Sequence, residues 1–184
     1  MMGRPPAETA RPDLPEIGPH PERRGVYRLQ TVVWVPAPRA AVFEFFGDAF
    51  QLEAITPPWL HFHVVTPRPI EMRPGITIDY RLRIHGIPIR WQSRISEWAP
   101  PDQFVDEQLR GPYRLWHHRH TFTEEAGGTL MRDEVDYAVP GGPLVHTLFV
   151  RKDLLEIFAF RRRTLLEIFG GTGHSPAGGA PVIP

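Results

Sequence analysis

Apolar and polar residues alternate one for one between Ile76 and His85: Ile76, Ile78, Tyr80, Leu82 and Ile84 interleave with Thr77, Asp79, Arg81, Arg83 and His85. A period of two sends the two sets to opposite faces of a strand, one packed and one wet. Segments of similar make-up lie at about 60–66, 88–98, 103–110, 113–124 and 128–138. The links between them are short and rich in turn formers (Gly86, Pro100-Pro101, Gly111-Pro112, Gly127-Gly128), so the strands form an antiparallel meander. Upstream, Val26 to Val35 is β-branched and reads as a first strand that stops at Pro36-Ala37-Pro38. Ala40, Val42, Phe43, Phe45 and Phe46 then suit a short helix broken near Gly47-Asp48, and Phe50 to Ile55 a second one ended by Thr56-Pro57-Pro58.

After Pro140-Gly141-Gly142-Pro143 the pattern changes, and Leu144 to Phe169 is continuously helical with no internal Gly or Pro. Leu154, Leu155, Ile157, Phe158, Leu165, Leu166, Ile168 and Phe169 fill one broad face, while Lys152, Asp153, Glu156, Arg163 and Glu167 fill the other. So wide an apolar face needs a concave partner, and the sheet is the one the chain offers. The predicted architecture is α+β: a curved antiparallel sheet of about seven strands wrapped around one long C-terminal helix, with two short helices after the first strand.

At 184 residues the chain has the length of one domain. The Pro-rich stretch 1–24 reads as a flexible leader, 25–170 as the domain and 171–184 as a flexible tail. The leader has no apolar core of a signal sequence, and no run approaches the roughly 18 apolar residues of a membrane span, so no integral membrane segment is expected and the default location is cytoplasmic. Twenty-one basic and 21 acidic residues cancel, which leaves no field for a phosphate backbone and argues against nucleic acid as a partner. The absence of cysteine removes thiol nucleophiles, disulfides and cysteine-ligated metals.

Strand parity selects the polar residues that face inward. With Trp116 and Phe122 in the core, His118 and His120 point the same way, and His117, Arg119 and Thr121 face solvent. Asp133 shares a face with Met131, Val135 and Tyr137, and Phe104 carries Asp106 and Gln108 with it. Buried imidazoles and carboxylates are costly unless paired, so a cross-strand network of His118 and His120 with Asp133 or Asp106 is expected. Three readings fit it. It is a structural ladder that fixes register, or the polar end of an apolar pocket in which the histidines, Gln108 and Tyr80 or Tyr137 orient a ligand, or acid–base machinery with His118, His120 and Asp133 as catalytic residues.

His61/His63 and His118/His120 both have the H-x-H spacing that puts two imidazoles on one strand face. The sequence does not identify carboxylates to complete a tetrahedral set, so neither metal nor cofactor is assigned. Arg151, Arg161 and Arg162 fall within or beside the helix's apolar arc, either snorkelling to its rim or standing at a pocket mouth to meet an acidic group. Trp34, Trp59, Trp91, Trp98 and Trp116 suit core or pocket wall, and Trp59, after Pro57-Pro58, is the candidate lid.

The stretch from Phe104-Val-Asp-Glu-Gln108 through Gly111-Pro-Tyr113, Trp116-His-His-Arg-His-Thr-Phe122, Gly128-Thr-Leu-Met-Arg-Asp133 and Val135-Asp-Tyr137 resembles the recurring run of the START/Bet v 1-like (SRPBCC) superfamily. The likeness is to its polyketide cyclase/dehydrase and coenzyme-Q-binding-like branch, and it covers about residues 25–170. It implies a helix-grip fold with a cavity between sheet and C-terminal helix, holding a small hydrophobic or amphipathic ligand such as a lipid, quinone or polyketide-like molecule. Tyr80, Trp91, Asp106, Gln108, Trp116, His118, His120, Tyr137, Trp59 and Phe158 are the expected ligand-binding residues. The alternative is a cofactor-independent cyclase or dehydratase using His118, His120 and Asp133. A third class, an assembly or chaperone-like partner, would have a filled cavity; no protein partner is identified.

Overall fold

The computed structural model describes residues 14–170. The chain runs β1 (Glu16–Pro19), β2 (Tyr27–Val35), α1 (Arg39–Gly47), α2 (Gln51–Ala54), a single 3-10 turn (Pro58–Leu60), β3 (His63–Val64), β4 (Thr77–Ile84), β5 (Ile87–Ala99), β6 (Gln103–Arg110), β7 (Leu115–Glu125) and β8 (Gly128–Ala138). It ends in α3 (Gly142–Val145), a π-helical turn over His146–Val150 and α4 (Arg151–Gly170). All strands belong to one antiparallel sheet ordered β1-β2-β8-β7-β6-β5-β4-β3, so the meander is intact and the first long strand closes against the last. This is the helix-grip arrangement, with eight strands rather than about seven.

The additional strand is β1, in the stretch assigned from sequence to a flexible leader. Glu16–Pro19 pairs with Tyr27–Gln30 of β2. The turn behind it is held by side chains: the His20 ring accepts from the backbone of Glu22 and Arg23, and Arg28 makes a two-pronged bond to Asp136 at 2.7 and 2.9 Å. Residues 14–24 are therefore part of the fold, while 1–13 and the tail 171–184 lie outside the described residues.

β4 alternates strictly, with Ile78, Tyr80 and Leu82 buried and Thr77, Asp79, Arg81 and Arg83 exposed, as the period of two requires. Two register shifts in the β5–β6 ladder, at Gln92/Ser93 and Ile95/Glu97, bend the sheet. α4 buries Leu154, Phe158 and Leu165, one stripe along its length. Leu165 joins a core with Val42, Phe43, Phe46 and Phe122, whereas Leu154 and Phe158 join Leu29, Val135 and Tyr137. Two details depart from the sequence reading. The helix from Leu144 is interrupted by the π turn, where His146 is buried while Leu148 and Phe149 are exposed, and Ile168 of the expected apolar face is 38% exposed. No helix among the described residues is long and apolar enough to cross a membrane.

Candidate functional site

A cavity of about 600 Å³ opens between α4, the inner face of β4–β7 and the segment that carries the 3-10 turn. That volume lies within the range of small-molecule sites. Its walls are mainly apolar and aromatic: Tyr80, Trp91, Phe104, Tyr113, Trp116 and Phe158 all face it. Trp91 and Trp116 meet edge to face at 5.2 Å, and Tyr113 packs on both. Tyr113 is delivered by the Gly111-Pro112 turn. The Gln108 amide donates to the Tyr113 carbonyl at 2.7 Å and accepts from its N–H at 3.2 Å, and a Cβ on Gly111 would sit 2.3 Å from the Gln108 oxygen. Trp59 and Phe149 stand at the mouth, both more than half exposed, and His85 Nε2 is 2.9 Å from Asp153 on the same rim.

The polar end of the cavity follows from register. Across three adjacent strands Asp106 is opposite His118, and Phe104, His120 and Asp133 stand in one row. The two imidazoles lie 3.8 Å apart, and His120 stacks on Phe104 at 4.1 Å. His118 Nδ1 is 3.4 Å from Asp106 Oδ1 and its Nε2 is 3.4 Å from Asp133 Oδ1. His120 places Nε2 3.4 Å from Asp106 Oδ1 and Nδ1 2.7 Å from Asp133 Oδ1. Each ring thus bridges both carboxylates, and each directs one nitrogen to Asp106. The N–H directions toward Asp133 fall short of hydrogen-bond alignment at both His118 Nε2 and His120 Nδ1.

Burial opposes every charge in this group, yet the charges compensate one another. It would raise both carboxyls, but hydrogen bonding and charge from His118 and His120 hold Asp106 and Asp133 well below the usual carboxylate range. Burial would lower the His118 proton affinity, and the same two aspartates reverse that and raise it. The Tyr80 hydroxyl is pushed up by burial and then by Asp106, so it stays protonated. Arg161 of α4 also faces the cavity, its guanidinium 4.8 Å above the Phe158 ring. Its Nε and Nη1 are shielded from solvent and have no hydrogen-bond partner, and burial lowers its proton affinity.

Of the residues selected from sequence, Trp59, Tyr80, Trp91, Asp106, Trp116, His118, His120 and Phe158 line the cavity. Three do not. Gln108 spends its amide on the Tyr113 backbone, Tyr137 is fully buried with its hydroxyl hydrogen-bonded to His146 Nε2 at 2.9 Å, and Asp133 stands behind the histidines. Tyr113, Ser93 and Phe104 are cavity residues that the sequence reading did not select, and Arg161, placed from sequence at the helix rim or a pocket mouth, lines the cavity too. The position of Arg161 inside the helix's apolar arc was the available signal for it. Among the described residues, Asp106, His118 and His120 also form a group able to hold a metal ion, with one ligand atom from each within 4.8 Å of the others. The exposed H-x-H pair is different: His61 ends the 3-10 turn, and His63 pairs at 3.9 Å with Glu53.

Sequence and shape comparisons agree with this geometry. The chain belongs to the family described as polyketide cyclase / dehydrase and lipid transport, which it matches over residues 35–156. No curated protein matches it by sequence. Among solved structures, a START superfamily protein from Mycobacterium smegmatis is similar with a TM-score of 0.55 and 18% identity, over 78% of this chain and 97% of that one. A Chromobacterium violaceum protein gives 0.63 at 14% identity, over 78% and 98%. Ginseng major latex-like protein 151 from Panax ginseng gives 0.60 at 12% identity, over 79% and 98%. At these identities the likeness shows the fold alone, which is the START/Bet v 1-like one.

Proposed function

We propose that this protein reversibly binds a small, mostly apolar molecule carrying one anionic or hydrogen-bond-accepting end, such as a lipid, quinone or polyketide-like acid. The observation that carries this reading is the cavity of about 600 Å³ with aromatic walls and its charged groups gathered among them. The apolar body would lie against Trp91, Trp116 and Phe158, and burial at about 25 cal/mol per Å² would supply most of the affinity. The Arg161 guanidinium, with two shielded and unpartnered nitrogens, would meet the anionic end. Trp59 at the mouth would report entry. Binding is preferred over a cyclase or dehydratase role because every ring nitrogen of His118 and His120 lies within 3.4 Å of Asp106 or Asp133, so in the metal-free protein neither imidazole is presented unopposed to a substrate.

Titration of the purified protein with a medium-chain fatty acid and the matching alcohol, followed by tryptophan fluorescence, tests the reading. Saturable quenching by both is expected, with Arg161→Met weakening the acid at least about 10-fold and the alcohol by less than about 3-fold. Absence of saturable binding by either, together with a native mass spectrum free of any co-purified occupant, would overturn it.

A further inference from the structure

The geometry points to a divalent metal site at the polar end of the cavity, formed by Asp106, His118 and His120, with Asp133 as the outer carboxylate that orients both rings. This goes beyond the binding of an apolar molecule and stands whatever that molecule is. Donor separations carry the inference. The contacts from Asp106 Oδ1 to His118 Nδ1 and to His120 Nε2 are both 3.4 Å, long for charge-assisted hydrogen bonds, which run to about 2.7–2.9 Å. These two separations match the edge of a tetrahedron whose centre-to-ligand bonds are about 2.0–2.1 Å, an edge of roughly 3.3–3.4 Å, and all three donors lie within 4.8 Å of one another.

The three donors come from two neighbouring strands whose register fixes them on one face, and all three residues line the cavity. Both rings are at most 4% exposed, so the site is preorganised rather than a cluster of mobile surface groups. Asp133 makes the arrangement specific. It lies 2.7 Å from His120 Nδ1 and 3.4 Å from His118 Nε2, the ring nitrogens that face away from Asp106, and it does not itself reach the cavity. A carboxylate there favours protons on those nitrogens and leaves a lone pair on His118 Nδ1 and another on His120 Nε2. The nitrogens turned to Asp133, His118 Nε2 and His120 Nδ1, have no hydrogen-bond partner in proper alignment, so a small rotation of each ring toward a shared ion breaks no formed bond on the Asp133 side.

Two imidazoles and one carboxylate suit zinc and its first-row neighbours rather than magnesium or calcium, which prefer all-oxygen shells. One carboxylate in contact and one behind the rings supply two negative charges for a dication. Three protein ligands leave the remaining position facing the cavity, where a carboxylate or hydroxyl of a bound molecule can enter.

The test uses the full chain, stripped with chelator and titrated with Zn²⁺ and with Co²⁺. One equivalent per chain is expected, with the strong visible bands of four-coordinate cobalt. Asp106→Asn and His120→Gln should weaken zinc binding at least 100-fold, and Asp133→Asn about 10–100-fold. A His61→Ala/His63→Ala double variant, which removes the exposed pair, should leave affinity and stoichiometry unchanged. X-ray absorption of the zinc-loaded wild type decides the question even if a cluster variant fails to fold: two imidazoles per zinc are expected. Fewer than two imidazoles, loss of binding in the His61/His63 variant, or no stoichiometric uptake would overturn the site.

Discussion

Two buried histidine environments, one on the sheet at His118 and His120 and one in the π turn at His146, differ in one ingredient. At the cavity, His118 and His120 are enclosed by two carboxylates, which outweigh burial and raise the His118 proton affinity. His146 stacks on Tyr27 at 3.4 Å and has its Nε2 2.9 Å from the Tyr137 hydroxyl, with no carboxylate paired to it among the described residues. There burial acts first and the Arg151 charge adds to it, so the His146 proton affinity is lowered. A buried imidazole therefore has no fixed meaning. Beside carboxylates the His118 ring gains proton affinity and faces a cavity, and beside phenols the His146 ring loses proton affinity and packs. What separates a site from a structural ladder here is the company of the ring and not its burial.

The comparison can be broken most forcefully at Asp133. Asp133→Ala in metal-free protein removes the oxygen shared by both rings and leaves buried charge uncompensated, which should cost about 3–5 kcal/mol in urea unfolding. A loss under about 1 kcal/mol would show that the cavity cluster is no more charged than its neighbour. On the phenol side the stakes are lower. Tyr137→Phe strips the hydroxyl partner from His146 Nε2, and unfolding measurements should show a loss of about 1–3 kcal/mol with ligand affinity unchanged.

Acidity sharpens the contrast further. The unfolded chain protonates this histidine at the ordinary value of about 6.5, whereas folded His146, facing Tyr27, Tyr137 and Arg151, takes up a proton only at lower pH. The unfolded state then binds more protons in the window below about 6.5, so this stabilisation is complete above that pH and is lost as pH falls toward the folded value. Urea midpoints measured across that window should fall less in His146→Gln than in wild type, and equal slopes would refute the assignment. Smallest of all, Phe149→Ser at the exposed mouth touches neither cluster and should change stability by no more than about 0.5 kcal/mol.

Strand parity explains why so much of this was readable from residues alone. A period of two leaves no freedom once Trp116 and Phe122 are placed, so the inward turn of His118 and His120 and their approach to Asp106 and Asp133 followed directly. Parity is blind to what lies in front of a residue. Gln108 and Tyr137 have the right face, but Gln108 is captured by a turn five residues on and Tyr137 is covered by His146. For Arg161 the apolar arc narrowed the choice to rim or pocket mouth, and the docking angle of α4, which no local pattern encodes, decided it. β1 escaped for a related reason. Glu16-Ile-Gly-Pro19 has the composition of a loop, and its extended form comes from pairing with β2, a tertiary effect that overrides propensity.

That short strand has a consequence for how such a sheet survives in a crowded solution. Without it, β2 would offer a row of open amides and carbonyls beside an apolar interior, an invitation for another chain to add on and propagate. Glu16–Pro19 occupies that rim and ends in a proline that cannot donate onward. The far rim is guarded by brevity, since β3 is only His63–Val64. A segment that looks dispensable in composition thus fills an otherwise open edge, and trimming the chain past Pro19 should show as aggregation in light scattering before any loss of cavity function.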